Sequence, residues 1–277
     1  GREDFTDMMI PKAWEKQKVA VIGGGPAGMM AAQTAVKRGH QVVLFEKSEK
    51  LGGTLNDINL LPFKKDLHRY TQWSIEETMG CGADIRLGVE ATPELVMNEN
   101  PDALIVATGS LPFEPPVPGL DRGNVVGVRD VDSGLVKVHG KVVVCGGGAS
   151  GCESALALAM EGCEVTIVDR IPYENFAAGM IHITRGMLTA LLEEHHVRIL
   201  DEHNVERIDD GGVHVEDRSW NKRVLEADYV VNAMGLRPVS AEAFRMLIPE
   251  VYVVGDCAGI GTIKKANHSG FDAAMEL

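Results

Sequence analysis

The residues of this chain that are best suited to chemistry are two glycine clusters able to hold the phosphates of a nucleotide. Each cluster has the pattern G-x-G-x-x-G, and the glycines are Gly23, Gly25 and Gly28 in the first copy and Gly146, Gly148 and Gly151 in the second. In such a loop the first glycine allows a sharp turn, the second lets backbone approach a diphosphate, and the third lets a helix pack on a strand. The diphosphate then lies at a helix N-terminus, where unpaired N–H groups and the helix dipole favour negative charge.

The two clusters lie in the same sequence context, 123 positions apart. Each follows a short apolar strand and precedes an alanine-rich helical run that ends at a glycine, which favours a left-handed C-terminal residue. A second apolar strand then ends in an acid, Glu46 or Asp169, 21 positions after the middle glycine. Such an acid can accept hydrogen bonds from both hydroxyls of a ribose. This complete context favours two dinucleotide-binding units over the alternative of two tight βαβ turns without a ligand.

Composition and charge limit the classes of protein to consider. With 277 residues, 45% of them apolar, the chain is long enough for two domains with separate cores. The net charge of −13 comes from acids scattered along the chain, so nucleic acid is not an expected partner. No run approaches the roughly 18 apolar residues of a membrane span, and no signal-peptide pattern is present at the N-terminus. We therefore expect a cytoplasmic protein without a membrane partner.

Cysteine and histidine spacing gives no indication of a metal site. The five cysteines contain no C-x-x-C pair and are interpreted as small core residues, and the histidines form no helix-spaced ligand set. No metal is therefore predicted, and no residue of this chain is predicted to act as a catalytic acid or base.

The order of the segments predicts that one domain is inserted into the other. Residues 1–17 form a lead-in, and the first unit begins at residue 18. A proline-rich stretch after Gly109 is unsuited to a helix or a central strand and is interpreted as the crossing into the second unit. The last apolar strand, which ends at Gly255 and Asp256, is followed by too few residues for a third domain and must return to the first. We therefore predict a first domain at 18–115 and 249–277 and a second at 116–248.

These observations predict an α/β protein built from two Rossmann-like three-layer dinucleotide-binding domains. The buried strand that ends at Ala107, Thr108 and Gly109 closes the first unit, and a similar strand that ends at Met234 and Gly235 closes the second.

The arrangement resembles the flavoproteins with two dinucleotide-binding domains, the pyridine-nucleotide reductases that include thioredoxin reductase and glutathione reductase. The likeness spans nearly all of residues 18–277. It implies FAD in the first unit and NAD(P)H in the second. Gly52, Gly53 and Thr54 match the second, flavin-side glycine loop of these proteins, and Asp256 matches the aspartate that holds the ribityl chain.

The resemblance and the motifs together predict two sets of nucleotide contacts. The predicted FAD contacts are Gly23, Gly25, Pro26, Ala27, Gly28, Glu46, Lys47, Gly52, Gly53, Thr54, Val89, Ala107, Thr108, Gly109, Gly255 and Asp256. The predicted NAD(P)H contacts are Gly146, Gly148, Ala149, Ser150, Gly151, Glu153, Asp169, Arg170, Met234 and Gly235.

Glu153 is the residue that distinguishes the two copies. It matches the nicotinamide-side motif of the resembled proteins, whereas the equivalent position in the first copy is Met30. A glutamate in the first turn of a helix also interacts favourably with the helix dipole, so both readings remain open. The disulfide reductases of this group carry a cysteine pair near the flavin, and no such pair is present here. Disulfide reduction is therefore not expected.

Three further segments resemble a narrower family. These are residues 8–12, residues 46–53 and residues 62–66, which look like the C-terminal portion of the 2,4-dienoyl-CoA reductase, enoate reductase and trimethylamine dehydrogenase family. Members of that family begin with an FMN-binding TIM barrel that carries a four-iron four-sulfur cluster. Because this chain contains no barrel, the resemblance implies a fragment of a larger reductase whose barrel is the partner.

The resemblance implies hydride transfer from nicotinamide C4 to flavin N5 and electron transfer onward to the iron–sulfur cluster and FMN of the barrel. Two alternatives remain open: a stand-alone FAD-dependent ferredoxin or flavin reductase, and a structural domain that holds only ADP. Asp169 favours NADH because a carboxylate repels a 2′-phosphate, whereas the neighbouring Arg170 could bind that phosphate of NADPH.

Overall fold

A computed structural model describes residues 10–58 and 60–277 of the chain. Met8 and Met9, which carry part of the resemblance at the lead-in, lie outside the described residues. The chain divides into two compact units: unit 1 contains 10–58, 65–111 and 237–277, and unit 2 contains 60–64 and 112–236. Unit 2 is therefore an insertion in unit 1. The chain crosses between the units near 111 and 236, compared with 115 and 248 in the sequence-based boundaries.

Unit 1 is built on a five-stranded parallel sheet. Its strands are β1 (Lys18–Ile22), β2 (Gln41–Phe45), β3 (Asp84–Arg86), β4 (Ala103–Val106) and β15 (Val251–Val253). The strand order is β15-β4-β1-β2-β3, so the chain leaves β1 toward β2 on one side and β4 lies on the other. The carboxyl ends of β1 and β4 thus define a topological switch point, where open α/β sheets bind their ligands.

Helices cover both faces of this sheet. They are α1 (Pro26–Arg38), α2 (Leu55–Ile58), α3 (Lys65–Gly80), α4 (Pro93–Asn98), α8 (Glu242–Arg245) and α9 (Ile263–Glu276). Because successive strand residues point to opposite faces, Val19 and Val21 pack with buried residues of α1 and α9, whereas Ala20 and Ile22 pack with Val96 of α4 and with α8. Unit 1 therefore has the three layers predicted.

Unit 2 repeats the parallel sheet. Its strands are β6 (Val125–Gly127), β7 (Lys141–Cys145), β8 (Glu164–Val168), β9 (Arg198–Leu200) and β13 (Tyr229–Asn232), in the order β6-β13-β7-β8-β9. Its helices are α5 (Val128–Asp132), α6 (Ala149–Met160) and α7 (His182–Glu194). They pack on the face that carries Val142 and Val144.

The opposite face of the unit 2 sheet is covered by a second sheet rather than by helices. This antiparallel sheet consists of β10 (His203–Asp209), β11 (Gly212–Asp217) and β12 (Lys222–Leu225). Ile208, Val213 and Val215 from it pack against Val143 and Cys145. Two short strands, β5 (Ser110–Pro112) and β14 (Leu236–Pro238), pair where the chain crosses between the units. The predicted fold class, α/β with one Rossmann-like domain inserted into the other, is confirmed.

The duplication extends to side-chain contacts at the amino ends of the sheets. The carboxylate of Asp102 accepts a hydrogen bond from the backbone N–H of Lys18 at 2.7 Å. Asp228 accepts one from the N–H of Lys141, also at 2.7 Å. In each unit an aspartate side chain thus accepts a hydrogen bond from the first amide of the central strand. No helix among the described residues has the length and apolar character needed to cross a bilayer.

One buried histidine in unit 1 predicts a pH dependence of stability. Burial, and then the neighbouring Arg38 charge, lower the pKa of His40 below its usual 6.5, and Glu250 opposes the shift. Nδ1 of His40 accepts a hydrogen bond from the backbone N–H of Gln17 at 3.2 Å, which requires that nitrogen to be unprotonated. The folded protein therefore favours the neutral ring. The neutral His40 ring therefore contributes to the free energy of unfolding above about pH 6.5, and this contribution is lost as the pH falls below that value.

We expect the free energy of unfolding to fall more between pH 7.5 and pH 5.5 in the wild-type protein than in a His40→Asn variant. Asparagine can still accept the Gln17 hydrogen bond but takes up no proton on unfolding. Urea denaturation of both proteins at both pH values measures this difference. An equal loss in the two proteins would show that His40 does not contribute to the pH dependence.

Candidate functional site

Two of the three glycines in the first cluster are required by the protein's own backbone. Gly23 has a φ of 104°, and a Cβ placed there would lie 2.4 Å from the carbonyl oxygen of Ala107. A Cβ on Gly28 would lie 1.9 Å from the carbonyl oxygen of Gly23. These two glycines therefore permit the turn after β1 and the close packing of α1 against it.

Gly25 is different, because nothing in the protein requires it to be glycine. Its φ of −75° is accessible to any residue, and a Cβ placed there would meet no atom within 4 Å. The position that a side chain of residue 25 would occupy is open space at the N-terminus of α1. We call this space the first cradle. A residue without a side chain at this place leaves room for a group that approaches the backbone closely.

The second cluster also contains two glycines that the backbone requires and one that it does not. Gly146 has a φ of 123°, its Cβ would lie 2.2 Å from the carbonyl oxygen of Ala233, and a Cβ on Gly151 would lie 2.0 Å from the oxygen of Gly146. Gly148 has a φ of −68° and no atom within 4 Å of its Cβ position. The open space at the N-terminus of α6 is the second cradle. Ala149 and Ser150, both predicted contacts, form the first two residues of that helix.

Neither cradle helix is capped by a side chain. Gly25 and Gly148 occupy the N-cap positions of α1 and α6, and neither can accept a hydrogen bond from the first turn. Elsewhere the chain uses threonine for this purpose, since the hydroxyls of Thr92 and Thr262 accept from backbone N–H groups at the start of α4 and α9. The first-turn N–H groups of both cradle helices therefore receive no side-chain cap, and an uncapped helix N-terminus is the arrangement that binds phosphate.

The acid at the end of the second strand is held by the glycine loop in each unit. Oε2 of Glu46 accepts from the N–H of Gly24 at 2.7 Å, and Oε1 accepts from the N–H of Ser48 at 2.8 Å. Oδ2 of Asp169 accepts from the N–H of Gly147 at 2.6 Å, and Oδ1 accepts from Ile171 at 3.2 Å. These bonds orient the carboxylates beside the cradles and leave further lone pairs for other donors.

The second glycine loop of unit 1 folds back onto the first. The N–H of Gly52 donates to the carbonyl oxygen of Gly24 at 2.8 Å, and a Cβ on Gly53 would lie 3.1 Å from the Cα of Gly25. Thr54, the next predicted contact, follows directly and is half-buried. Lys47 is exposed, and no described contact holds its side chain near this loop.

Unit 2 contains an equivalent loop that sequence reasoning missed. The N–H of Ala177 donates to the carbonyl oxygen of Gly147 at 2.8 Å, and the ring of Phe176 occupies the space where a Cβ on Gly147 would lie. Ala177 is fully buried and has a φ of 50°. The repeat spacing changes from 123 to 125 at this loop, and no glycine marks it. A search for glycines alone therefore could not find it.

The closing strands place their predicted residues next to the clusters. The N–H of Ala107 donates to the oxygen of Ile22 at 2.8 Å, and Gly109 follows with a φ of 73°. Thr108 Oγ1 is buried and has no hydrogen-bond partner among the described residues. The N–H of Val89 is bonded to the carbonyl oxygen of Glu46 at 2.9 Å, which places it at the same edge of the sheet.

The terminal strand brings Gly255 and Asp256 to the first cradle helix. A Cβ on Gly255 would lie 2.9 Å from the Cβ of Ala27 in α1. Asp256 Oδ2 accepts from the hydroxyl of Ser110 at 2.9 Å, and Oδ1 accepts from the N–H of Gly261 at 3.1 Å. Ser110 was not predicted, and it orients the carboxylate that the resemblance assigns to the flavin.

The remaining predicted residues of unit 2 lie at the carboxyl ends of β8 and β13. Arg170 is exposed directly after Asp169. Met234 donates its N–H to the side-chain oxygen of Asn232 at 3.1 Å, and Gly235 follows with a φ of 109°.

Glu153 lies deeper in its helix than the sequence analysis placed it. It is the fifth residue of α6, and the first turn contains no acid, so the reading of Glu153 as a first-turn dipole partner is wrong. The reason is that the helix begins only at Ala149, after the glycine that occupies the N-cap. Glu153 instead forms an ion pair with Lys64, with Nζ 2.6 Å from Oε2. Lys64 was not predicted as a site residue.

Two of the five cysteines, Cys145 and Cys152, are poorly suited to redox or nucleophilic chemistry. All five are free thiols. Burial raises the pKa of Cys145 and of Cys152 to about 12, so both thiols stay protonated at neutral pH. Within the described part of the chain, no group of three or more histidine, cysteine, aspartate or glutamate side chains is arranged to hold a metal ion.

Comparison with known proteins shows which family this chain belongs to. The model of the family described as pyridine nucleotide-disulphide oxidoreductase matches residues 17–247. An NADH oxidase of Thermoanaerobacter brockii is 37% identical over 275 residues, which cover 97% of this chain and 42% of the oxidase. A bilirubin reductase of Mediterraneibacter gnavus is 38% identical over 266 residues, which cover 95% of this chain and 41% of the reductase.

A solved structure of 2-naphthoyl-CoA reductase in complex with 2-naphthoyl-CoA superimposes with a TM-score of 0.89 at 30% identity. The superposition covers 97% of the present chain and 41% of the reductase chain. The present chain therefore spans about two fifths of the length of these relatives. The matched residues include both glycine clusters and both acids. The chain belongs to the pyridine nucleotide-disulphide oxidoreductase family.

Proposed function

We propose that unit 1 binds FAD, that unit 2 binds NADH, and that the chain is the NADH-oxidising module of a larger reductase. The observation that carries the proposal is the pair of open cradles at Gly25 and Gly148. At both positions the packing of the protein does not require a glycine. A bound diphosphate would require one, because it needs the space that a side chain would fill. The buried, unpaired hydroxyl of Thr108 supports a ligand in unit 1 in particular.

The residues of this chain are proposed to bind and orient FAD and NADH, and the chemistry is that of the two cofactors. When bound, FAD and NADH supply the redox chemistry, in which a hydride passes from nicotinamide C4 to flavin N5. The uncapped helix N-termini hold the two diphosphates. Glu46 and Asp169 are proposed to accept hydrogen bonds from the riboses, and Asp256, oriented by Ser110, is proposed to hold the ribityl chain. No side chain of this module has to donate or accept a proton.

The electron acceptor is proposed to be a barrel domain that carries FMN and a four-iron four-sulfur cluster. The proposal rests on the length of the relatives, of which this chain covers about two fifths, and on the resemblance of residues 46–53 and 62–66 to enoate and 2,4-dienoyl-CoA reductases. In this arrangement the module itself does not determine the final substrate.

Two measurements on the purified 277-residue protein test this function. The bound nucleotide is released by denaturation and identified, and NADH is added anaerobically while the flavin absorbance is followed. Bound FAD that is bleached by NADH supports the proposal. Release of ADP alone, or a flavin that NADH does not bleach, contradicts it and favours a nucleotide-binding structural domain.

Asp169 is predicted to select NADH over NADPH. Its carboxylate would repel a 2′-phosphate on the adenosine ribose, so we expect Asp169→Asn to raise the ratio of kcat/KM for NADPH to that for NADH about tenfold or more. Asparagine keeps one acceptor oxygen for the N–H of Gly147, which limits disturbance of the loop. Steady-state kinetics with a soluble electron acceptor measure the ratio.

The matched control is Arg170→Ala, which removes the exposed cation next to Asp169. This change should lower kcat/KM for NADPH and leave the value for NADH within about twofold, because only the 2′-phosphate needs the positive charge. An unchanged cofactor ratio in Asp169→Asn would mean that Asp169 does not face the ribose.

A further inference from the structure

The loop that follows Asp169 in unit 2 begins and ends at the same glycine. At its start, Asp169 Oδ2 accepts a hydrogen bond from the N–H of Gly147 at 2.6 Å. At its end, the N–H of Ala177 donates to the carbonyl oxygen of Gly147 at 2.8 Å. Residues 170–176 therefore leave the glycine loop of the second cradle and return to it, and Tyr173 lies in the middle of this path.

Tyr173 presents an exposed aromatic ring next to the glycine loop. Its ring lies 5.9 Å from the ring of Phe176, at an interplanar angle of 46°. Phe176 is 1% exposed, and its ring occupies the space beside Gly147, whereas Tyr173 is 44% exposed. The buried ring of Phe176 thus lies between the glycine loop and a second ring that solvent can reach.

Hydrogen bonds from other segments of unit 2 fix the backbone of Tyr173. Its N–H donates to Oδ2 of Asp201 at 3.0 Å, and its carbonyl oxygen accepts from the guanidinium of Arg185 at 3.4 Å. The same guanidinium donates to the carbonyl oxygen of Glu174. The backbone that carries the ring is therefore held in place while the ring stays exposed, so a ligand that packs on it has little chain to order.

The corresponding loop of unit 1 shows that the fold does not need this residue. There residues 47–51 complete the path in five residues, with Leu51 in the place of Phe176, and none of them is aromatic. Unit 2 uses the seven residues 170–176. Because the shorter loop also returns to its glycine through a backbone hydrogen bond, closure of the loop does not explain the added length or Tyr173.

The covalent structure of NADH brings its adenine to the same loop. With the hydroxyls of the adenosine ribose on Asp169, the base is attached to the ribose carbon next to the one that carries the 2′-hydroxyl. Oδ1 of Asp169 also accepts from the N–H of Ile171, two residues before Tyr173. An exposed aromatic ring in this neighbourhood suits a nucleobase, because every base has a π-face on which such a ring can stack.

We propose that Tyr173 recognises the adenine of NADH by stacking on it. The inference rests on the proposed function of the second cradle. The N-terminus of α6, the carboxylate of Asp169 and the ring of Tyr173 then bind the diphosphate, the ribose and the base of one nucleotide. The aromatic ring carries this role, and the phenol hydroxyl is not needed for it.

The first test measures the affinity of ADP-ribose, which contains the adenine and has no nicotinamide to react. Isothermal titration uses protein saturated with FAD, so that unit 1 is occupied. We expect Tyr173→Ala to weaken ADP-ribose binding at least about fivefold, because alanine offers the base no ring. Tyr173→Phe, which keeps the ring, should stay within about twofold of wild type, and so should Asn175→Ala, which shortens an exposed side chain of the same turn.

Three results of this titration would overturn the proposal. Wild-type affinity in Tyr173→Ala would show that the ring does not touch the base. A loss in Tyr173→Phe as large as in Tyr173→Ala would assign the contact to the hydroxyl. A loss of that size in Asn175→Ala would assign the effect to the turn as a whole.

Reduced nicotinamide mononucleotide separates stacking from a disturbed cradle, because it lacks the adenosine. The rate at which low concentrations of it bleach the flavin anaerobically should change less than about threefold in Tyr173→Ala. The rate with low concentrations of NADH should fall along with the affinity for ADP-ribose. Equal slowing with both reductants would show that the substitution damages the packing of Phe176 on Gly147, and it would overturn the proposal.

A Tyr173→Trp variant keeps the proposal testable even if Tyr173→Ala does not fold. It adds a fluorophore to the three tryptophans of the chain, and wild-type protein gives their background. ADP-ribose should quench the added emission, since a stacked base quenches indole fluorescence. Binding of ADP-ribose without additional quenching would contradict the stacking.

Failure of this inference differs from failure of the proposed function. Wild-type protein that binds neither ADP-ribose nor NADH contradicts the nucleotide site of unit 2 and, with it, the role of Tyr173. Wild-type protein that binds both, with no loss in Tyr173→Ala, contradicts the role of Tyr173 alone.

Discussion

The Gly25→Ala variant is expected to fold normally and to lose its flavin. The added methyl group meets no protein atom within 4 Å and the backbone φ of −75° suits alanine, so the unbound protein has no steric reason to change. The methyl group does occupy the first cradle, where the diphosphate of FAD must approach the backbone. We expect the FAD content per mole of protein to fall at least tenfold, which corresponds to about 1.4 kcal/mol of binding free energy or more. Flavin absorbance of the purified protein measures it.

The matched control is Gly148→Ala, which makes the same change in the second cradle. Its methyl group also meets no protein atom within 4 Å. This variant should keep its flavin and lose at least tenfold in affinity for NADH, so that anaerobic bleaching requires a much higher NADH concentration. The opposite result, with flavin lost from Gly148→Ala and kept in Gly25→Ala, would reverse the assignment of the two cofactors. Wild-type behaviour in both variants would show that neither cradle holds a diphosphate.

The Gly28→Ala variant is expected to be severely destabilised. A Cβ at this position would lie 1.9 Å from the carbonyl oxygen of Gly23, and both partners belong to backbone that cannot rotate away. Helix α1 would have to move away from β1, which disrupts the packing of buried residues such as Val21 and Ala31. We expect a loss of about 3 kcal/mol or more in the free energy of unfolding.

Chemical denaturation of flavin-free protein measures this loss, because bound cofactor would otherwise contribute to the stability. Gly25→Ala is the control, since it lies in the same loop and adds the same methyl group. Its unfolding free energy without flavin should stay within about 0.5 kcal/mol of wild type. A Gly28→Ala protein as stable as Gly25→Ala would mean that the helix adapts and that Gly28 has no packing role.

The fold was predictable because the repeat carries several independent signals at once. Apolar strands, glycine turns and helix-ending glycines recur at one spacing, and each of them constrains the same βαβ unit. The insertion of unit 2 was also predicted, because the last apolar strand, which precedes Gly255, was assigned to the first unit. It pairs with β4 of unit 1.

Elements without a strong local pattern were harder to find. The strand β12 (Lys222–Leu225) has three exposed residues of four, and its place is determined by pairing with β11. The loop at Phe176 and Ala177 also lacks a strong local sequence pattern. Its left-handed residue is an alanine, which does not favour that conformation, so the surrounding contacts with Gly147 determine it.

The sequence alone determined the number of Rossmann-like units, their order and the acids that end their second strands, because glycine spacing and strand periodicity act through local backbone geometry. Only the tertiary structure determined the surroundings of each glycine and the contacts between segments that are distant in the sequence. It separated Gly25 and Gly148, which leave open space, from the glycines that packing requires. It also brought Lys64 to Glu153, a contact between residues 89 positions apart. Such a contact depends on where folded segments meet, and no periodicity along the chain records that.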